Sequence, residues 1–312
     1  VGGLSNQIMI GTRGSALALV QAEEARAALL RLDPDLSVEL EIIKTRGDKI
    51  QSVPLAQVGG KGLFVREIEE ALLDGRVDLA VHSMKDLPAE QPEGLVIAAV
   101  PERLDARDVL ISRDFQSVET LPQGARVGTS SLRRGAQLLS LRPDLAVTPL
   151  RGNVDTRLKK LAAGDVEAVV LAAAGLIRLG RLDDSAVPFD RREMLPAIGQ
   201  GALAFETRAD DAALIERLAR LHHQPTADAV RAERAFLRRL AGDCHAPVAA
   251  HGVIEKDALR LEGLVSDIEG RRVFRDFVSG PRASAEALGQ ALAETLLAAG
   301  ADEVLAALKE PA

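Results

Sequence analysis

Short runs of β-branched residues alternate along the first hundred positions with stretches whose apolar residues recur every three or four places. These are the periodicities of strands and of amphipathic helices. Gln7 to Thr12 and Val38 to Thr45 read as strands around a helix from about Ser15 to Leu32, with Ser15 as its N-cap and Pro34 beyond its stop. From Gly62 to Leu73, Phe64, Ile68, Ala71 and Leu72 share one helical face, and Asp74-Gly75 ends the helix. Val77 to His82 and Leu95 to Val100 are the next strands. This order predicts a mostly parallel sheet covered by helices.

The pattern restarts after a charged link, Glu102 to Asp108. Strands fit Val109 to Ser112, Arg126 to Gly128, Ala146 to Pro149 and Glu167 to Leu171; helices fit Ser131 to Leu141, Val154 to Ala163 and Ala173 to Leu179. Ile10-Gly11-Thr12-Arg13-Gly14-Ser15 and Val127-Gly128-Thr129-Ser130-Ser131 are alike: a strand end, then Gly-Thr, then small hydroxyl residues opening a helix. Two similarly built α/β domains are expected. The last third differs, with a helix over Thr226 to Leu240, a turn running into a strand over Asp243 to His251, antiparallel strands at Leu259 to Val265 and Arg272 to Val278, and a long helix from Ser284 to Ala298. That order predicts a small α+β domain.

Composition narrows the functional classes. A chain of 312 residues exceeds one average domain, and 47% hydrophobic with 27% charged residues is the balance of a soluble globular protein. With no Trp or Tyr and 7 Phe, the stacking platforms of single-strand nucleic-acid binders are missing, and the net charge of −7 opposes general affinity for nucleic acid. No apolar run approaches the roughly 18 residues of a membrane span, and no signal peptide is visible at Val1 to Asn6. The single cysteine cannot form an intramolecular disulfide, which fits a reducing compartment, so a cytoplasmic location is expected. Charge is uneven, however: Arg126 to Arg178 holds nine Lys/Arg against four Asp/Glu. Such a segment reads either as a site for a discrete anion or as a solvated helix face.

In parallel α/β sheets ligands collect at the carboxyl ends of strands, against helix N-termini. Thr129, Ser130 and Ser131 sit at such a place, followed by Arg133 and Arg134; Arg151 precedes Gly152-Asn153, Arg157 follows on the next helix, and Arg13 holds the equivalent loop of the first half. A guanidinium fork matches a carboxylate bidentately, so several forks at strand ends suit a ligand with several carboxylates. Gly59-Gly60-Lys61-Gly62 permits an anion nest with Lys61 adding charge, or is simply a Gly-rich loop; it lacks the Walker A frame. His82-Ser83-Met84-Lys85-Asp86-Leu87-Pro88 packs ionisable residues at a strand end, where Asp86 can stabilise a cation and move protons, with Lys85 as its ion-pair partner or a second anion ligand. A capping Asp and a solvated Lys are the alternative. Cys244, in Gly242-Asp243-Cys244-His245, reads as a small buried spacer or a reactive thiol. No CxxC or HExxH frame supports a metal, and no Gly-x-Ser-x-Gly elbow a serine hydrolase.

Together these segments resemble the porphobilinogen deaminase family along nearly the whole chain. The resemblance is carried by Gly11-Thr12-Arg13-Gly14-Ser15-Ala16-Leu17-Ala18-Leu19, Thr45-Arg46-Gly47-Asp48, Gly59-Gly60-Lys61-Gly62-Leu63-Phe64 and Asp78 to Pro88. It continues through Val127 to Arg134, Leu150-Arg151-Gly152-Asn153-Val154, Pro196-Ala197-Ile198-Gly199-Gln200-Gly201 and the segment around Cys244. It implies an α/β fold of two periplasmic-binding-protein-like domains flanking an active-site cleft, plus a small C-terminal α+β domain with an antiparallel sheet. Domain 1 would take residues 1–101 and 202–220, domain 2 residues 102–201, and domain 3, with the cofactor cysteine, residues 221–312.

The implied reaction joins four porphobilinogen molecules head to tail, releases ammonia at each step and frees hydroxymethylbilane by hydrolysis, for heme and other tetrapyrroles. The implied cofactor is a dipyrromethane bound to Cys244 as a thioether. By motif, Asp86 and Lys85 are catalytic, and Asp86 steadies pyrrole N–H groups and the azafulvene cation left by ammonia. Asp86, Lys85, Ser83, Thr129, Ser131, Arg133, Arg134 and Gly152 would contact cofactor, and Arg13, Ser15, Arg151, Arg157, Arg178 and Gln200 substrate. Lys61 would gate the cleft. The resemblance further implies a monomer, without nucleic-acid or membrane partners, whose product passes to uroporphyrinogen III synthase. Asp243 and His245 depart from the Gly-Gly-Cys-Gln or Gly-Gly-Cys-Ser of many relatives and can alter the thiol's pKa during attachment.

Two rival readings are a non-enzymatic anion-binding protein and an amidotransferase-like enzyme whose Cys244 attacks substrate in every turnover. Intact mass separates all three. The expected result is an added mass of two linked pyrrole units that disappears in Cys244→Ser; an active, unmodified protein excludes the deaminase.

Overall fold

The computed structural model describes residues 6–49, 62, 65–240 and 246–308. They form two compact units, unit 1 from Val1–Leu104 with Ala202–Ala227 and unit 2 from Asp105–Gly201 with Asp228–Ala312. Unit 1 opens with β1 (Gln7–Thr12), α1 (Ala16–Leu32), β2 (Ser37–Ile42), the single turn α2 (Arg46–Lys49), α3 (Arg66–Leu73), β3 (Leu79–Ser83) and β4 (Leu95–Ala99). Unit 2 begins with β5 (Asp108–Ser112), β6 (Arg126–Gly128), α4 (Leu132–Leu141) and β7 (Ala146–Thr148), then α5 (Val154–Ala163), β8 (Ala168–Ala172), α6 (Ala173–Arg178) and β9 (Ala186–Pro188). The chain returns to unit 1 for β10 (Leu203–Arg208) and α7 (Ala212–Ala219). It ends with α8 (Gln224–Arg239), β11 (Val248–Glu255), β12 (Ala258–Ser266), β13 (Val273–Pro281), α9 (Ala285–Leu296) and α10 (Asp302–Ala307). Among the described residues no helix is long and apolar enough to cross a membrane.

The two five-stranded sheets follow one plan, with orders β2-β1-β3-β10-β4 and β7-β6-β8-β5-β9. In each, a central strand pairs in parallel with two neighbours, β1 with β2 and β3, and β6 with β7 and β8. The twin Gly-Thr segments end these two central strands, so the internal likeness in sequence is a likeness of position. The expectation of mostly parallel sheets holds for four strands of each, and one strand in each is reversed: β10 runs antiparallel to β3 and β4, and β5 to β8 and β9. Each reversed strand is the first after the chain crosses from the other unit. It arrives without the helical crossover that a parallel neighbour requires.

In unit 1 the sheet's core faces divide by strand alternation. Leu79 and Val81 of β3 join Ile8, Ile10, Leu203 and Phe205 against Ala22, Ala25 and Leu29 of α1. On the opposite face Ala80 packs with Ile68, Ala71 and Leu72 of α3. Helix α1 begins where expected, since the Ser15 Oγ accepts the Ala18 N–H at 3.3 Å. Helix α3 starts four residues later than its apolar spacing suggests. Gly62 has φ +77°, a left-handed value outside any helix, and its carbonyl accepts the Val65 and Arg66 N–H groups instead. Phe64, assigned to that helix from sequence, lies outside the described residues.

The C-terminal part of unit 2 is a β11-β12-β13 antiparallel sheet. One face carries α8 and α9 through Phe236, Leu261 and Leu292. On the other, Ala249 and Leu264 meet Leu195. The fully buried Glu233 of α8 accepts the Gly199 N–H at 2.7 Å and the Gly252 N–H at 2.8 Å, tying the Pro196 to Gly201 segment to β11. The predicted long terminal helix is broken after Leu296 by a wide turn containing Gly300 at φ +107°. Helices α8 and α9 approach so closely that a Cβ on Gly289 would lie 2.2 Å from the Ala232 carbonyl oxygen. Gly289→Ala is therefore expected to lower unfolding free energy by about 1–3 kcal/mol in urea titrations, the range for overpacked cores.

Candidate active site

In unit 1 the loop after β1 and the loop after β3 lie side by side because β1 and β3 are parallel neighbours. Between them is a cavity of about 60 Å³, whose lining includes Arg13, Ser15, Gln21, His82, Ser83 and Asp86. The backbone after β3 closes in a short turn, Met84–Asp86, anchored by the buried Met84, whose N–H donates to the Ala202 carbonyl at 3.0 Å. That anchor leaves Asp86 exposed at the rim. Ser83 is held by Gln21, whose Nε2 donates to its Oγ at 2.8 Å. Four of the residues expected from sequence, Arg13, Ser15, Ser83 and Asp86, are thus brought together. Lys85 follows in the same turn, half-buried.

Gln21 and His82 were not among the expected site residues. His82 Nε2 lies 3.1 Å from Glu206 Oε2, with both side chains almost fully enclosed. Glu206 comes from β10, more than a hundred residues away, so no local motif announces the pair. Glu69 of α3 is also buried, and its carboxyl is pushed up to about 6 by burial and then by the charge of Glu206, with His82 pulling the other way.

In unit 2 the cluster is built on one buried carboxylate. Asp108, the last residue of what reads in sequence as a charged link, is the first residue of β5 and fully buried. Arg133 Nη1 lies 2.8 Å from its Oδ2, and Arg134 donates to Oδ1 through Nε at 2.9 Å. Burial alone would raise the Asp108 carboxyl, but the fields of Arg133 and Arg134 outweigh it and hold it well below the usual carboxylate range. The two guanidiniums are only 5% and 6% exposed, and each also donates to a carbonyl, Arg133 to Leu195 and Arg134 to Val170. Arg133 and Arg134, expected to contact cofactor, are thus set inward over Asp108. Gln200, expected to touch substrate, is buried and donates its Nε2 to Asp108 Oδ1 at 3.0 Å and to the Ala106 carbonyl at 2.7 Å. Its amide braces the carboxylate.

The loops around this core are only partly accessible. Thr129, buried just after β6, accepts the Ser131 N–H at its Oγ1, while Ser131 caps α4 by accepting from Arg134 N–H at 3.4 Å. Gly152, at φ +108°, opens the turn before α5, and its carbonyl accepts the Arg157 Nε at 3.0 Å. A Cβ at Gly152 would strike the Thr156 side chain at 2.5 Å. Among the described residues no carboxylate pairs with Arg157, whose pKa is pushed down to about 10 by burial and by the Arg134 charge; it remains a cation at neutral pH. Arg151 and Arg178 are half-buried, Arg178 reaching the Gly201 carbonyl at 3.4 Å. Lys61 and Cys244, with Asp243 and His245, lie outside the described residues.

Two guanidiniums on one internal carboxylate, with Arg157 beyond them, give this part of unit 2 a surplus of positive charge, and unit 1 offers an acid beside hydroxyl groups. These features define an α/β protein with a cluster of arginines suited to carboxylates and a carboxylic acid at a cavity. Residues 8–216 match the model of the porphobilinogen deaminase dipyromethane cofactor binding domain, and residues 227–298 that of the porphobilinogen deaminase C-terminal domain. Porphobilinogen deaminase of Syntrophotalea carbinolica is 55% identical over 304 residues, covering 97% of this chain and 96% of that protein. The Geobacter metallireducens protein of the same name is 54% identical over 300 residues, covering 96% and 94%. A solved ancestral cationic amino acid solute binding protein overlaps 69% of this chain and 88% of its own at 15% identity and a TM-score of 0.44, a likeness too slight to bear on function.

The chain belongs to the porphobilinogen deaminase family. It is a transferase that joins four porphobilinogen molecules head to tail into hydroxymethylbilane with release of ammonia, in tetrapyrrole biosynthesis, and its cofactor is a dipyrromethane. The unbalanced arginines of unit 2 fit a group that carries several carboxylates.

Asp108, with its pKa depressed on folding, contributes stability that is present above about pH 4 and lost as pH falls toward the folded-state value. Asp108→Asn is expected to cost about 3–5 kcal/mol at pH 7 by leaving buried guanidiniums unpaired. In urea unfolding the gap from wild type should narrow below about pH 4.

Proposed function

We propose that Asp86 is the group around which each addition takes place, and that the strand-end arginines hold the ligand's carboxylates. The observation that carries this is the position of Asp86 on the rim of a cavity that also collects Arg13, Ser15 and Ser83. The Asp86 carboxylate faces the pyrrole N–H and steadies the cation left when ammonia departs from porphobilinogen. Lys85 beside it pairs with Asp86 or with a ligand carboxylate. Arg13, Ser15, Arg151, Arg157 and Arg178 bind substrate carboxylates, and Thr129, Ser131 and Gly152 offer hydroxyl and backbone groups to the cofactor. Arg133 and Arg134 act on the cofactor while braced by Asp108, and Gln200 serves as part of that brace.

Cys244 holds the dipyrromethane through a thioether. When bound, that group supplies the pyrrole end on which the product is built. Lys61, in the glycine loop, gates the site. The division into residues 1–101 with 202–220, 102–201 and 221–312 is the working scheme for three domains. The enzyme acts as a monomer in the cytoplasm, consistent with a single cysteine, and passes its product to uroporphyrinogen III synthase.

Asp86→Asn tests the central role. The variant is expected to keep its cofactor, by intact mass and Ehrlich's aldehyde reaction, while kcat falls by about 10²–10⁴-fold, the usual worth of positioned acid–base groups. Near-normal turnover in the loaded variant would overturn the assignment.

A further inference from the structure

Unit 1 encloses three titratable groups whose burial the fold does not need. Strand alternation turns His82 of β3 toward α3, on the face opposite Leu79 and Val81. In the antiparallel register Ala204 of β10 sits opposite His82 and Glu206 opposite Ala80, so Glu206 is the diagonal neighbour of His82 on the same face. Glu69 of α3 covers them. Glu206 is fully buried and Glu69 is 7% exposed, yet Oε1 of each has no hydrogen-bond partner among the described residues. Unsatisfied buried carboxylate oxygens are costly, and an apolar packing of similar volume would serve the sheet better.

The surrounding charges leave this cluster to itself. Glu70 on the same helix is paired with Arg66 at 2.9 Å, and Arg208 of β10 with Asp78 at 3.1 Å. His82 also lines the cavity that holds Asp86 and Arg13, and with Nε2 facing Glu206 its remaining ring nitrogen is Nδ1. Joining two pyrroles replaces a ring C–H bond by a C–C bond, the ring keeping the C–H electron pair. The C–N bond of the substrate's protonated aminomethyl group breaks, its pair leaving with neutral ammonia. One proton is therefore released for each unit added.

We propose that His82 is the proton-holding group of this site: Nδ1 takes the released proton from the cavity, and Glu206 and Glu69 behind it hold the resulting positive charge. The inference rests on the reading of the Asp86 cavity as the place of reaction. A carboxyl on Glu69 that ionises only near pH 6 agrees with a cluster that shares protons rather than fixing them.

The test uses the cofactor-loaded protein with ¹⁵N-labelled histidine, His82→Gln serving to assign the ring signals among the five histidines. The expected results are a fall in kcat of about 10²-fold in His82→Gln with KM and cofactor content unchanged, and loss of the His82 ring proton at lower pH in Glu206→Gln and Glu69→Gln. The rise of kcat with pH should move to lower pH in the same two variants. Loaded His82→Gln with kcat within about twofold of wild type would overturn the proposal. If His82→Gln or Glu206→Gln does not fold, Glu69→Gln, which loses only a strained buried charge, decides alone: an unmoved pH dependence and an unmoved ring titration refute the coupling. Normal turnover in Asp86→Asn sinks the site reading itself, whereas an inactive Asp86→Asn beside an unaffected His82→Gln sinks only this inference.

Discussion

One buried carboxylate, Asp108, organises the interior of unit 2. Two guanidiniums cannot enter a protein interior without an opposing charge, and Asp108 supplies it at the start of β5. Once it is there, Arg133 and Arg134 are fixed at the carboxyl end of β6, Gln200 is drawn in to complete the shell, and the Pro196 to Gly201 segment is held against the sheet through Leu195 and Gln200. A single negative charge does not neutralise two arginines, still less Arg157 beyond them. The surplus is what a ligand with several carboxylates can complete, and it is prearranged, so little ordering remains to be done on binding.

Unit 1 uses the same sheet plan for different chemistry. Its central loop holds hydroxyls and one arginine, and an acid stands at the rim, with a buried imidazole and two carboxylates behind. Stability is sacrificed there: Glu69 and Glu206 each keep a carboxylate oxygen without a partner among the described residues. Unit 2 instead sets its buried carboxylate against two guanidiniums at ion-pair distance.

The antiparallel strand in each sheet ties these clusters to chain topology. β5 and β10 each follow a crossing between units, and each places one decisive residue, Asp108 or Glu206, next to a central parallel strand pair. A sheet made only of consecutive strand–helix–strand repeats has no means of delivering a side chain from so far along the chain. The crossings thus join the two units and also build the interior of each site.

Local pattern was enough for much of this protein. Apolar periodicity marked the strands and helices, Ser15 and Ser131 announced their helix starts, and the repeated Gly-Thr segments exposed two similarly built sheets, because each of these depends on neighbours a few residues away. Asp86 was likewise legible as a charged residue just past a strand end, and Arg157 as a cation on the helix that follows another. Long-range pairing decided the rest. Asp108 read as part of a charged link, Arg133 and Arg134 as cofactor ligands, Gln200 as a substrate contact and His82 as one polar residue among several. Their buried partners lie 25 to 124 positions away. A buried charge is defined by what compensates it, and compensation across a sheet is a property of register and topology, which no local run of residues contains.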